Sequence, residues 1–248
     1  MVKGLDTFQK YFADYEEQYV LIGGAACDIL FESNEVNFRA TRDLDMVLIV
    51  EALTPEFGEK FWEFIVDGKY RNKATNGSNP QFYRFDKPED DEFPKMIELF
   101  CRSYFKLKNA KGITPIHIDD EVSSLSAILL NDDYYKALLN GKEVRNGLSV
   151  LRPEYIILFK AKAYLDLQKR KDSGEKLDSS DIKKHKKDVL RIASELMLEK
   201  VEELPIAVDA DIHSFIDLLE QEPFDQNSLK RYGLKNENVV ELLKRVFG

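Results

Sequence analysis

The chain has 248 residues, 44% of them hydrophobic, enough for one large domain or two compact ones with real cores. A formal charge of −9 argues against a protein that coats nucleic acid by bulk electrostatics, since neutralising phosphates takes clustered Lys and Arg. No run approaches the roughly eighteen apolar residues of a membrane span, and no basic-then-apolar leader opens the chain. Cys27 and Cys101 lie in apolar stretches without CxxC spacing, so a soluble cytoplasmic protein with reduced thiols and no membrane partner is expected.

Phe8, Tyr11, Phe12 and Tyr15 recur at helical spacing over residues 6 to 17, with Asp6 and Gln9 spaced as a capping box. Tyr19 to Ile22 has strand character and closes on Gly23-Gly24, after which Ala25 to Phe31 reads as helix. Thr41 to Val50 is the next strand, and its period of two sets Asp43 and Asp45 on one face and Leu44 and Met46 on the other. Thr54-Pro55 opens a helix with Phe57, Phe61, Phe64 and Ile65 on one side, stopped by Gly68. A polar stretch over 70–80 precedes two strands, Gln81 to Phe85 and Met96 to Cys101, joined as a hairpin by an acidic loop. Ile113 to Ile118 adds an edge strand, because Pro115 is poorly tolerated in a central one. From about residue 121 the pattern is helical, with segments near 122–140, 153–171, 181–198, 210–221 and 236–247 and a polar linker from Asp172 to Ser180. The expected fold class is α/β in the α+β sense: a mixed-sheet domain over 1–120 followed by a helical domain over 121–248.

Asp43 and Asp45 sit one residue apart on a strand, so their carboxylates emerge on the same side roughly 6 to 7 Å apart. Two acids inside a Val/Ile/Leu-rich segment repel unless a counter-ion joins them, and a hard divalent cation with oxygen ligands suits them. An isolated Asp-x-Asp is more often a solvated strand end. Two neighbours change that balance. Gly23-Gly24 precedes a helix whose N–H groups and dipole suit a phosphate, and Glu98 alternates against Ile97 and Leu99 on a later strand, where a third metal-binding carboxylate and an exposed edge acid are about equally expected.

In this order the parts resemble the nucleotidyltransferase superfamily related to DNA polymerase beta. Tyr19 to Gly24 matches its strand and glycine turn, Arg39 to Asp45 its acidic strand, and Ile97-Glu98-Leu99 its later acid. The chain looks most like the AbiEii and MenT toxin-type branch, whose Arg-x-Thr-x-Asp-x-Asp element reads here as Arg39, Thr41, Asp43 and Asp45. Ala25 stands where that family often has Ser or Thr. The resemblance implies that Mg²⁺ or Mn²⁺ is held by Asp43, Asp45 and Glu98 as the catalytic residues, and that Gly23, Gly24, Arg39 and Thr41 contact an NTP.

On the helix from Pro153, Lys160 falls within the apolar arc of Ile156, Phe159, Ala163 and Leu167, and Lys162 falls outside it. A lysine in that arc is costly unless it snorkels or meets an anion. The toxin-type branch carries a lysine three residues before an alanine, so the resemblance assigns Lys160 to the nucleotide phosphates, with Lys162 as the alternative. Asp181 to Asp188 resembles the family's last motif without its arginine, adding Asp181 and Lys184 to the nucleotide contacts. His185 shares a stripe with Ile182, Val189 and Ile192, which suits a buried histidine. Residues 152–191 hold 12 Lys and Arg against 7 Asp and Glu, a net of +5 that leaves −14 elsewhere.

The resemblance covers about residues 15 to 195 and implies transfer of NMP from an NTP to an acceptor hydroxyl. For a toxin the acceptor is tRNA or another RNA, and a cognate antitoxin protein is the partner. Two readings stay open beside it. One is an antibiotic-type enzyme with a small hydroxylated acceptor. The other is a non-catalytic nucleotide-binding or interaction module, motivated by Ala25 and the missing arginine.

Overall fold

The apolar run Tyr19–Ile22 is buried along its whole length, because the strand it forms, β1, lies inside a sheet covered on both faces. The computed structural model describes residues 2–32, 43–72, 82–101, 128–129 and 131–248. Two compact units divide the chain: Met1–Asp119 with Lys142–Leu151, and Asp120–Gly141 with Arg152–Gly248.

Among the described residues of the first unit, β1 joins β2 (Asp43–Leu48), β3 (Arg71–Asn72), β4 (Phe82–Asp86), β5 (Met96–Cys101), β6 (Lys142–Arg145) and β7 (Leu148–Leu151) in one sheet. The strand order is β3-β4-β5-β2-β1-β7-β6. It is a mixed sheet: β1 runs antiparallel to β2 and parallel to β7, β2 parallel to β5, and β5 antiparallel to β4.

One face of the sheet rests on aromatic rings. Helix α1 (Leu5–Phe12) and helix α3 (Pro55–Asp67) bring Phe8, Phe12, Phe61 and Phe64 together, all fully buried. Phe8 and Phe12 lie 4.5 Å apart, Phe12 and Phe64 5.4 Å apart, and Phe61 meets Phe85 of β4 edge-on at 5.5 Å. Helix α2 (Gly23–Glu32) packs on β1 and β2. Helix α3 starts and stops where the sequence indicates: Thr54 Oγ1 accepts the Phe57 N–H, Pro55 opens the first turn and Gly68 follows Asp67.

Three expectations change. The opening helix expected over 6–17 ends at Phe12, and Glu16–Gln18 forms a separate 3-10 turn. Helix α1 begins at Leu5 after Gly4, with φ +82 and no side-chain cap, so Asp6 is already helical and the capping box does not form. Gln9 instead donates its amide to the Asn146 carbonyl. Nor is the chain beyond residue 121 helical throughout, because Lys142–Leu151 forms a β-hairpin that belongs to the first unit's sheet. Its turn is Asn146-Gly147, both with positive φ (51 and 69), the geometry a two-residue hairpin requires. The edge strand expected at 113–118 and the start of the helix expected at 122–140 lie outside the described residues.

The second unit is helical: α4 (Asp132–Asn140), α5 (Pro153–Asp172), α6 (Ser179–Glu195), α7 (Ile206–Gln221), α8 (Gln226–Arg231) and α9 (Asn236–Phe247). Asn131, Asp178 and Asp225 cap α4, α6 and α8 through their side chains. The six-residue α8 was not anticipated, being too short to repeat an apolar period. Among the described residues no helix is long and apolar enough to cross a membrane.

Phe64 touches the rings of Phe8, Tyr11, Phe12, Tyr70 and Phe93. Phe64→Ala should therefore cost about 3–5 kcal/mol in urea denaturation. Ile206→Ser, at an 86% exposed position, should shift stability by less than about 0.5 kcal/mol.

Candidate active site

Sheet register gathers the acids from separate strands. Asp45 pairs with Ile22 of β1 on one side and Glu98 of β5 on the other, and Glu98 pairs in turn with Arg84 of β4. Register partners share a face, and Asp43 lies two residues before Asp45, so Asp43, Asp45, Glu98 and Arg84 project from one side of the sheet. Leu44, Met46, Ile97 and Leu99 alternate to the other side and are completely buried. The aliphatic and aromatic packing behind thus fixes where the charges stand.

Gly23 completes the row. It follows Ile22 with φ +60, and a Cβ built on it would lie 2.2 Å from Asp45 Oδ2, far inside van der Waals contact. Only a residue without a side chain lets the start of α2 come this close to the carboxylate, and the same residue adopts the left-handed backbone at little cost. The first turn of α2 holds no acidic residue, so its N–H groups face no competing carboxylate of their own turn.

Glu98 is 7% exposed and its charge is balanced by Arg84, whose Nε and Nη2 lie 2.7 and 2.5 Å from Oε1. Burial pushes the Glu98 carboxyl above its ordinary value. Arg84 pulls the other way, as does a hydrogen bond with Asp45, while the charge of Asp43 adds to the rise. Asp45 and Glu98 are register partners across the β2–β5 pairing, so their carboxyls stand beside each other. Hard carboxylate oxygens are the donor type that a divalent cation takes. Among the described residues, however, no group of three His, Cys, Asp or Glu side chains is disposed to hold a metal ion. Arg84 engages Glu98 through Oε1.

The remaining residues singled out from the sequence fall in two places. Arg39 and Thr41 lie outside the described residues, and Gly24 is the second residue of α2. Lys160, Lys162, Asp181 and Lys184 belong to the second unit. Lys160 does lie in the apolar arc of α5, 13% exposed, and its Nζ is 2.9 Å from Asp188 Oδ2 on α6, itself 8% exposed. Lys162 bridges Asp166 and Asp211, at 3.1 Å from each. The anion that each lysine needs is thus supplied from within its own unit. Asp181 is exposed in the first turn of α6, His185 is buried, and Lys184 is half-buried. Arg84 is the residue that sequence reasoning missed. Its position on β4 opposite Glu98 follows from the hairpin register, which the loop between the strands does not reveal.

No protein-family model and no curated protein matches the chain. In solved structures the chain is similar to an antigenic nucleotidyltransferase-like protein from Paracoccidioides brasiliensis, at 14% identity over 97% of this chain and 93% of that one, with a TM-score of 0.48.

Gly23→Ala should cost at least about 1–2 kcal/mol from left-handed strain alone and should also displace Asp45, which a denaturation series will read. A second expectation concerns pH. Because the folded chain binds the Glu98 proton more tightly than the unfolded chain, the stability this supplies is fully present below the ordinary value of 4.5 and is lost as pH rises through the higher folded value. In chelator-treated protein, wild type should therefore lose stability relative to Glu98→Gln as pH rises from about 4 toward 7. A flat difference between the two proteins would contradict the burial argument.

Proposed function

We propose that the first unit is the catalytic core of a metal-dependent nucleotidyltransferase, moving NMP from an NTP to an acceptor hydroxyl. The observation that carries this reading is the seating of Gly23, at the start of α2, directly against Asp45 in a row with Glu98. A phosphate-binding helix start and a carboxylate pair side by side are what a triphosphate bound through a cation needs.

In this reading Asp43 and Asp45 would hold Mg²⁺ or Mn²⁺. The ion would neutralise phosphate charge and acidify the acceptor hydroxyl. Glu98 would join them through Oε2, with Oε1 engaged by Arg84. Gly23 and Gly24 offer backbone N–H groups to the phosphates, and the bare Cα of Gly23 keeps the approach to Asp45 open. Arg84 holds the Glu98 side chain in place and balances the negative charge of the row. Arg39 and Thr41 belong to the same nucleotide site by the family resemblance. Lys160, with Lys162 as its alternative, and Asp181 and Lys184 are assigned there on the same ground.

The acceptor we favour is tRNA or another RNA, as in the toxin-type branch, with a cognate antitoxin as protein partner and the cytoplasm as the place of action. The toxin-type element around Asp43 and Asp45 and the basic segment over 152–191 support this. The Arg84 contact to Glu98 favours, as a second reading, a module that binds nucleotide without transferring it.

Incubation with Mg²⁺, each labelled NTP and bulk tRNA separates the two. Transfer of label that falls at least about 100-fold in Asp45→Asn supports the enzyme. Nucleotide binding without transfer to tRNA or to hydroxylated small molecules would favour the module and sink the proposal.

A further inference from the structure

The second unit contains a cavity of about 440 Å³, within the range of small-ligand sites. Every residue lining it belongs to that unit, and none is part of the acidic row. Its wall on α6 is basic. Lys183 and Lys187 are exposed, one helical turn apart, and join no salt bridge among the described residues. Lys186, between them in sequence and half-buried, has a different job. Its ammonium donates to the carbonyls of Glu222 and Pro223 and sits over the rings of Tyr164 and Phe224, at 5.7 and 5.6 Å. It fastens the segment after α7 to α6 and thereby shapes the cavity.

Two acids also line the cavity, and both are engaged locally. Asp225 Oδ2 accepts from the N–H and the hydroxyl of Ser228, capping α8, and also feels the charge of Lys187, while Glu222 lies beside the Tyr164 hydroxyl and its backbone carbonyl accepts from Lys186. The surfaces between are apolar: Leu190, Pro223 and the buried ring of Phe224. Two exposed ammonium groups, Lys187 also facing the Asp225 carboxylate, stand beside an apolar wall in a space for one small molecule, a combination that matches an anion joined to a planar ring.

We propose that this cavity is a binding site for a single nucleotide, with its phosphate between Lys183 and Lys187 and its base against the wall formed by Leu190, Pro223 and Phe224. The nucleotide is either a free mononucleotide or one unit of an RNA strand, since the recognised chemistry is the same. The site does not depend on the nucleotidyltransferase reading, because it uses none of the acidic residues.

The test is calorimetric titration of the full chain carrying Asp45→Asn, in chelator, with AMP and separately with a short single-stranded oligoadenylate. This background removes the metal site, so failure of the catalytic proposal leaves the result readable. Binding of either ligand should weaken about tenfold or more on adding Lys183→Glu with Lys187→Glu. Since both side chains are exposed, thermal melting should be little changed. If charge reversal impairs folding, Lys183→Gln with Lys187→Gln should still weaken binding. Binding of AMP would identify a small-molecule source, and binding of the oligonucleotide alone would identify a strand. Absence of binding by both ligands, or affinity unchanged by the lysine substitutions, would overturn the proposal.

Discussion

The constraint on which the first unit turns is electrostatic: Asp43, Asp45 and Glu98 emerge on one face of two adjacent strands, where carboxylates repel and water is partly excluded. A fold tolerates this only by bringing positive charge to the same face, and Arg84 does so from β4 with two nitrogens on one Glu98 oxygen. The cost of the arrangement is borne by the opposite face. There Tyr19, Phe61 and Phe85 join a slab of rings contributed by α1 and α3, and Leu44, Met46, Ile97 and Leu99 are wholly buried. Slipping either strand by one residue would expose that apolar set and bury the acids, so packing behind the sheet holds the charged row in register.

Gly23 shows how a backbone detail serves the same row. A helix start can come against a carboxylate only where no Cβ intervenes, and here the clearance is smaller than any side chain allows. The turn and the acidic strand are therefore one structural feature, although about twenty residues separate them in the chain.

The second unit meets its own charges differently. Lys160 and Asp188, both nearly buried, answer each other between α5 and α6, and Lys162 is shared by Asp166 and Asp211. A buried lysine with a buried aspartate is strongly destabilised if either partner is lost, so these pairs specify how the helices dock. The net positive charge of residues 152–191 is thus not uniformly available to a ligand. Part of it is neutralised inside the unit, while Lys183 and Lys187 stand at the surface beside a cavity.

Local chemistry decided much from the sequence alone. The period of two in β2 and β5, the Thr54-Pro55 start and Gly68 stop of α3, and the aromatic spacing of α3 are short-range patterns that appear where they were read, whereas the helix read over 6–17 stops at Phe12 and leaves Tyr15 outside it. The hairpin at Lys142–Leu151 was legible too, in its Asn146-Gly147 turn, but was overlooked between two strongly helical segments. What no local pattern could supply is the set of neighbours across strands and helices. That Glu98 lies beside Asp45, that Arg84 holds Glu98, and that Asp188 rather than solvent meets Lys160 are decided by tertiary pairing. A side chain's own sequence determines its face and its need for a partner; only the folded chain, by bringing distant segments within a few ångströms, determines which partner meets that need.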